Sequence, residues 1–291
     1  MTNDHEAAPV PPWRPAPAIR LSMALHGAAA LTLVVQPGLW AWVVSALVAN
    51  HLLLFAASFC PRGRVLGANL SRLPPAAARD GEIVLTFDDG PDPLVTPQVL
   101  DLLDRYRMKA SFFCIGEKAA AFPGIVREIA RRGHGVENHS HRHSHAFAFG
   151  GFSRLAREVD AAQSAIATSA GRPPAFFRAP AGFRGPFLDL VLAKRGLTYV
   201  SWTRRGYDTV RRDPVQVFDK LTKGLAAGDV LLLHDGNAAR TAQGEPVVLA
   251  VLPRLLEHLR AERLTSVALS RVPGVLDPGP VKADLHRSEL S

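Results

Sequence analysis

Cysteine is scarce: this chain of 291 residues has only Cys60 and Cys114. Two cysteines cannot build the disulfide framework on which small secreted domains depend. Cys114 lies in the apolar run Ser111-Phe112-Phe113-Cys114-Ile115, where the expected role is a buried thiol that only packs. Runs of Lys and Arg interleaved with aromatics are missing too, so the net charge of +8 and pI near 10.1 do not point to a nucleic-acid groove. Membrane lipid head groups are the better-fitting anionic neighbour. No internal repeat is visible. The most informative absence is of charge: residues 21–59 contain no Asp, Glu, Lys or Arg.

Crossing a bilayer core takes about 20 apolar residues, and the uncharged stretch is long enough for two passes, with Gln36-Pro37-Gly38 in its middle. The expectation is a membrane helical hairpin, with helices at roughly 21–35 and 39–59. Trp40 and Trp42 sit just past the turn, where an interfacial aromatic belt would lie. Arg14 and Arg20 flank one end and Arg62, Arg64 and Arg72 the other, so by the positive-inside rule both ends face the cytoplasm. That places the protein in the inner (cytoplasmic) membrane, with the rest of the chain on its cytoplasmic side. Two alternatives stay open: one span at 39–59 with 21–35 in the interface, or a buried helical pair of a soluble domain. Asn50 and His51 are costly in lipid, which keeps the latter open. The proline-rich residues 1–20 lack a small-residue cleavage site after a short apolar core; they read as an extended, helix-free segment rather than a signal peptide. Residues 60–79 read as a linker, and 271–291, rich in Pro and Gly, as a disordered tail.

Residues 80–270 alternate short β-rich runs with helical patterns. The runs are Ile83–Phe87, Ser111–Ile115, Gly135–Asn138, Ala175–Arg178, Thr198–Trp202, Val230–Leu233 and Thr265–Leu269. Thr96-Pro97 offers an N-cap followed by proline at the first helical position, with Val99, Leu102, Leu103 and Tyr106 as one apolar face. Val248, Val251, Leu252, Leu255, Leu256 and Leu259 make another face, despite Pro253. About seven strands alternating with helices imply a parallel α/β architecture.

The polar motifs fall where such a fold concentrates chemistry. Asp88-Asp89-Gly90-Pro91 ends the first run, His139 to His143 follow the third, Arg178 ends the fourth, Asp208 follows the fifth and His234 ends the sixth. C-terminal ends of parallel strands converge on one rim, where barrel enzymes keep their active sites. Adjacent carboxylates at 88 and 89 repel unless a cation intervenes; a solvated turn is the plain alternative. His139 and His143 are spaced so that a helical turn would put both imidazoles on one face, but His141 and His145 share that spacing. Two His and one carboxylate leave positions open on a metal, as catalytic zinc requires; a solvated His-rich loop or non-catalytic metal capture are the alternatives. His234 follows an apolar strand and is either a satisfied structural residue or a general acid. Arg178 could hold a catalytic carboxylate ionised.

The ordered set Thr86-Phe87-Asp88-Asp89-Gly90-Pro91, His139-Ser140-x-x-His143, Arg178-x-Pro180-x-Gly182, Asp208 and Leu232-x-His234 resembles the polysaccharide deacetylase family, over roughly residues 80–270. The resemblance implies a distorted (β/α) barrel and a hydrolase that deacetylates an N-acetylated amino sugar with a divalent metal, usually zinc. It implies Asp89, His139 and His143 as ligands, Asp88 as general base, Arg178 orienting Asp88, Asp208 orienting Arg178 and His234 as general acid. The Ala181 N–H would hold the oxyanion and Leu232 would line the acetyl methyl pocket. The family's fourth motif usually reads Asp-x-x-Asp-Trp, whereas this chain has Arg205-Gly206-Tyr207-Asp208-Thr209, and Ala181 stands where an aromatic is common. These departures open one wall and add positive charge, and imply a lipid-linked or anionic amino sugar rather than plain chitin. A deformylase or amidase on another C–N bond, or a catalytically silent sugar-binding membrane protein, are the competing readings.

Overall fold

The structure is a computed structural model describing residues 13–275; the expectations for 1–12 and 276–291 lie outside the described residues. Two long helices come first, α1 (Pro17–Val35) and α2 (Trp40–Ser58), joined by a 3₁₀ turn at Pro37–Leu39. Helix α1 thus begins inside the segment expected to be helix-free. Pro17 occupies its first turn, where a missing N–H costs nothing and the fixed φ suits the helix. Only Ile19, Ser22 and Ala29 of α1 and Val43 and Ser58 of α2 are buried. That is unlike a helical pair in a soluble core, and both helices are long and apolar enough to cross a membrane. The costly Asn50 is satisfied across the pair, donating to Ser22 Oγ at 2.9 Å, and His51 Nδ1 bonds the Leu47 carbonyl at 2.7 Å.

A parallel α/β unit follows: α3 (Pro75–Arg79), β1 (Glu82–Asp88), α4 (Thr96–Arg105), β2 (Ala110–Cys114), α5 (Gly116–Ala121), α6 (Pro123–Arg131), β3 (Gly135–Asn138), α7 (Phe152–Ala170), β4 (Phe176–Phe177), α8 (Leu188–Ala193), β5 (Thr198–Tyr199), β6 (Arg204–Arg205), α9 (Pro214–Thr222), β7 (Val230–His234), α10 (Val247–Ala261) and β8 (Thr265–Ser266). The sheet runs β5-β4-β3-β2-β1-β7-β6, every pair parallel, and β8 adds to the start of β1. The path is open between β5 and β6, which makes the barrel distorted. Strand β6 was not expected, because two arginines carry no apolar pattern.

Strand alternation divides β1 between two cores. Ile83, Leu85 and Phe87 face outward and pack beneath α4 and α10 with Val99, Leu103, Leu252 and Leu255. Val84 faces the barrel interior with Phe113, Phe176, Val200 and Val230. Thr86 and Asp88 share that inner face. The register pairs Asp88 with His234 of β7 and Asn138 of β3 with Phe177 of β4, so the strand ends finish level.

Three local expectations are corrected. Thr96 is not an N-cap but the first helical residue of α4; its hydroxyl donates to Asp235 Oδ2 at 2.5 Å while accepting from the Asp92 N–H. Residues 60–79 are not a free linker. Leu73 and Ala77 are buried against Val84, and Arg72 pairs with the buried Asp229 at 2.5 Å. Val272, expected in the disordered tail, is buried in the same cluster.

Candidate metal centre and catalytic pocket

Asp88 and Asp89 leave β1 in different directions because Asp89 adopts a left-handed conformation, φ 70°. A non-glycine residue is rarely held there without surrounding constraint. Gly90 and Gly236 allow it: a Cβ on Gly90 would meet the Asp235 carboxylate, and one on Gly236 would meet the Asp89 carbonyl. Asp88 stays on the inner face, and Asp89 swings to the rim. There its Oδ1 lies 3.3 Å from His139 Nε2 and 3.0 Å from His143 Nε2. One donor atom from each of Asp89, His139 and His143 falls within 4.8 Å of the others.

The two histidines do not share a helical turn. His139 follows β3 directly, and the loop after it reverses through left-handed Ser140 (φ 64°) and His143 (φ 51°). Asn138 Oδ1 caps the Ser140 N–H, and Ser140 Oγ accepts from the His143 N–H at 3.1 Å. His139 Nδ1 lies 2.8 Å from the Arg178 carbonyl, which can only accept. The proton therefore sits on Nδ1 and the Nε2 lone pair faces Asp89. His141 stands apart from the cluster, whereas His145 lines the rim of the cavity.

This donor set fits a divalent cation. Asp89 Oδ1 is buried without a hydrogen-bond partner and faces an imidazole lone pair, an arrangement that needs positive charge between the atoms. Burial alone would raise the Asp89 carboxyl, and only positive charge at the two imidazoles, carried by protons or by a cation between the atoms, holds it well below the usual carboxylate range. Two further groups fix Asp89 and were not singled out in the sequence. Asn237 Nδ2 donates to its Oδ2 at 3.1 Å, and Lys118 Nζ donates to its carbonyl at 2.8 Å. Neither belongs to an apolar pattern or a His-rich run.

Arg178 is fully buried in the barrel interior. Its Nη1 donates to Asp88 Oδ1 at 2.6 Å and Thr86 Oγ1 at 2.8 Å; Nη2 and Nε reach the Ser201 and Val200 carbonyls. A buried guanidinium is tolerable only with such full pairing. Alternation supplies it, since Thr86 and Asp88 are two apart on one face of β1. Asp208 does not orient Arg178, as the resemblance implied. It grips His234 twice, accepting from the ring Nδ1 and the backbone N–H, both at 2.8 Å. The reason is topological: Asp208 follows β6, which pairs with β7 and so reaches the end of β7 rather than β4. Burial alone would lower the His234 imidazole, but the Asp208 carboxylate, with Asp88 and Asp89, raises it to about 8.

Asp88, Asp89, His139, His143 and His234 line one cavity of ≈ 480 Å³, together with Ala181, Leu232, Trp202, Arg205, Thr209 and Asn237. Leu232 lies two residues before His234 on the inner face of β7. Ala181 is left-handed, φ 54°, in the turn that follows β4. Every sequence-predicted site residue except Arg178 and Asp208 lines this cavity, and those two sit directly behind it.

Comparison with known proteins agrees with this geometry. The polysaccharide deacetylase family model matches residues 76–200. A peptidoglycan-N-acetylglucosamine deacetylase of Bacillus cereus is 30% identical over 192 residues, 65% of this chain and 87% of that protein. A chitooligosaccharide deacetylase of Sinorhizobium fredii is 33% identical over 196 residues, 65% of this chain and 91% of that protein. The solved family 4 carbohydrate esterase of Streptomyces lividans, in complex with acetate, aligns with a TM-score of 0.59 at 33% identity, covering 67% of this chain and 95% of that one. The chain therefore belongs to the polysaccharide deacetylase family, metal-dependent hydrolases of carbon–nitrogen bonds.

Proposed function

We propose that this chain hydrolyses the acetamide of an N-acetylated amino sugar at the pocket around Asp88, with zinc held by Asp89, His139 and His143. The observation that carries the reading is the convergence of three ligand atoms within 4.8 Å beside a second buried carboxylate and opposite a histidine that is protonated near neutrality. A carboxylate and two imidazoles suit zinc and leave coordination positions free. The ion would supply Lewis-acid polarisation of the acetamide carbonyl and of a water molecule.

The protein's own groups do the rest. Asp88, held in place by the Arg178 guanidinium, accepts the proton of the attacking water. The Ala181 N–H, presented by its left-handed turn, faces the charge that develops on the carbonyl oxygen. His234, whose Asp208-bound Nδ1 leaves Nε2 for the pocket, donates a proton to the departing amine. Leu232 takes the acetyl methyl. A silent sugar binder has no use for a paired acid and base.

In this reading the α1–α2 hairpin anchors the enzyme in the cytoplasmic membrane with the pocket on the cytoplasmic side, and the flanking arginines support that orientation. Acetate release and bound zinc, measured in the wild type and in Asp88→Asn, test the chemistry. Asp88→Asn is expected to keep its zinc and lose acetate release by roughly 10²- to 10⁴-fold; undiminished release refutes the assignment of Asp88. A reporter fused to the C-terminus tests the side, and a periplasmic or extracellular signal refutes it.

A further inference from the structure

Arg205 is the one guanidinium in the pocket without a partner among the described residues. Alternation along β6 turns its neighbour Arg204 outward, where Nε meets Asp229 Oδ2 at 2.6 Å, and turns Arg205 inward to the cavity. Arg178 and Arg184, the other enclosed guanidiniums nearby, are bonded to carboxylates or carbonyls. The Arg205 side chain has no acidic partner or hydrogen bond among the described residues, and its Nε is buried without an acceptor. Its guanidinium lies over two aromatic rings, 5.4 Å from the Trp202 centroid and 5.1 Å from that of Tyr207. Attraction of the cation to the ring faces does not use its N–H donors. Thr209, a small side chain, shares this wall and leaves room in front of it.

The same wall rests on the base of the hairpin. Gly182 lines the cavity, and a Cβ there would lie 2.5 Å from Trp202 Cη2 and 2.9 Å from Pro61 Cβ, just past the end of α2. Phe59 packs against Phe183 at 4.9 Å, Phe55 stacks on Phe149 at 5.7 Å, and the Arg184 N–H donates to the Ser58 carbonyl. Arg62 donates to the Thr203 carbonyl, two residues before Arg205. The pocket thus opens beside the C-terminal end of α2.

We infer that Arg205 binds a phosphoryl group attached to the acetamido sugar, and that the sugar reaches the pocket on a membrane lipid; the inference rests on the deacetylase reading of the site. A planar fork with free in-plane donors matches the oxygens of a phosphate. With the acetamide taken by the ligand cluster and Asp88, Arg205 is the guanidinium of the cavity left to hold a phosphate on the same sugar. A sugar joined to lipid through its anomeric phosphate carries the phosphate on C1 and the acetamide on C2 of one ring, so a single substrate presents both groups to one pocket, and Arg205 pairs in register with Leu232 beside the acetyl site.

The test uses the full-length, zinc-loaded chain in lipid nanodiscs and three substrates: methyl N-acetylglucosaminide, N-acetylglucosamine 1-phosphate, and a long-chain alkyl ester of that phosphate. Acetate release should favour the phosphate over the neutral glycoside by about 10- to 100-fold in kcat/KM, the range of a hydrogen bond to a charged group, with the alkyl ester better still. Arg205→Gln should bring the phosphate-to-neutral ratio to about one through KM, and Arg205→Lys should restore part of it. A wild-type preference for the neutral glycoside, or an equal loss on both soluble substrates in Arg205→Gln, overturns the anion subsite. Equal rates on the free and alkylated phosphates overturn the lipid half. If the wild type releases no acetate from any substrate, the deacetylase reading fails instead. The subsite is then decided by calorimetry on zinc-loaded Asp88→Asn protein: tighter binding of the sugar phosphate than of the neutral glycoside, lost in Arg205→Gln, supports it, and equal binding overturns it.

Discussion

Replacing Asp208 by Asn tests whether the acid of this site is set by its partner. Asp208 is fully buried, and both its oxygens are committed to His234, one to the ring and one to the backbone N–H. An amide of the same shape keeps one acceptor, turns a donor toward the other N–H and removes the negative charge. A hydrogen bond to a charged partner is worth about 1.5–3 kcal/mol, which corresponds to roughly one to two pH units at about 1.36 kcal/mol each. His234 titrates at about 8 in the intact site. The substitution should bring it to roughly 6–7. At pH 7.5 the imidazole is then roughly one-tenth protonated rather than roughly three-quarters. The assay is acetate release across pH 5.5–9.5, with zinc content and circular dichroism as controls for the fold. Wild-type activity should fall as pH rises through about 8, because the proton donor is lost. In Asp208→Asn that fall should begin about one to two pH units lower. A uniformly reduced profile whose alkaline limb has not moved would refute the pairing of Asp208 with a proton-donating His234.

Removing the amide that steadies Asp89, in Asn237→Ala, should weaken zinc binding by roughly 10- to 100-fold, read by titration against a competing chelator; unchanged affinity would show that the 3.1 Å contact positions nothing. Glu137 is buried on β3, where burial raises its carboxyl to about 7, although the N–H groups of Phe176 and Ala175 oppose the rise. A raised folded value means that its stabilising contribution is fully present below about 4.5 and is lost as pH rises through about 7. Glu137→Gln keeps an acceptor for those N–H groups without the ionisation. It should therefore gain stability over the wild type between pH 5 and 8, by up to roughly 3 kcal/mol. Parallel chemical denaturation curves at those two pH values would expose an error if the difference did not grow with pH.

Local pattern was enough to place much of this protein. The charge-free stretch marked the hairpin, since lipid excludes ionised groups whatever the fold. Buried parallel strands must be apolar on both faces, so β1, β2 and β7 stood out as short hydrophobic runs, and β1 and β7 end in polar motifs. Asp89, His139 and His143 were legible through the resemblance to the family's motifs, whereas spacing alone left His141 and His145 as alternatives. What escaped was decided across the sheet. Two-residue β6 has no periodicity of its own and exists because β7 offers it hydrogen bonds. That pairing alone sends Asp208 to His234 instead of Arg178, and it turns Arg204 outward and Arg205 inward. The left-handed turns at Asp89, Ser140 and His143 replaced the helical turn that spacing implied, because packing of Gly90 and Gly236 and the Asn138 cap dictate the path of the chain. Asn237 and Lys118 reach Asp89 from loops and helices whose sequence carries no sign of it. Sequence determines which groups are available near each strand end; the register of neighbouring strands determines which of them meet, because hydrogen-bonded pairing, unlike burial, depends on a partner elsewhere in the chain.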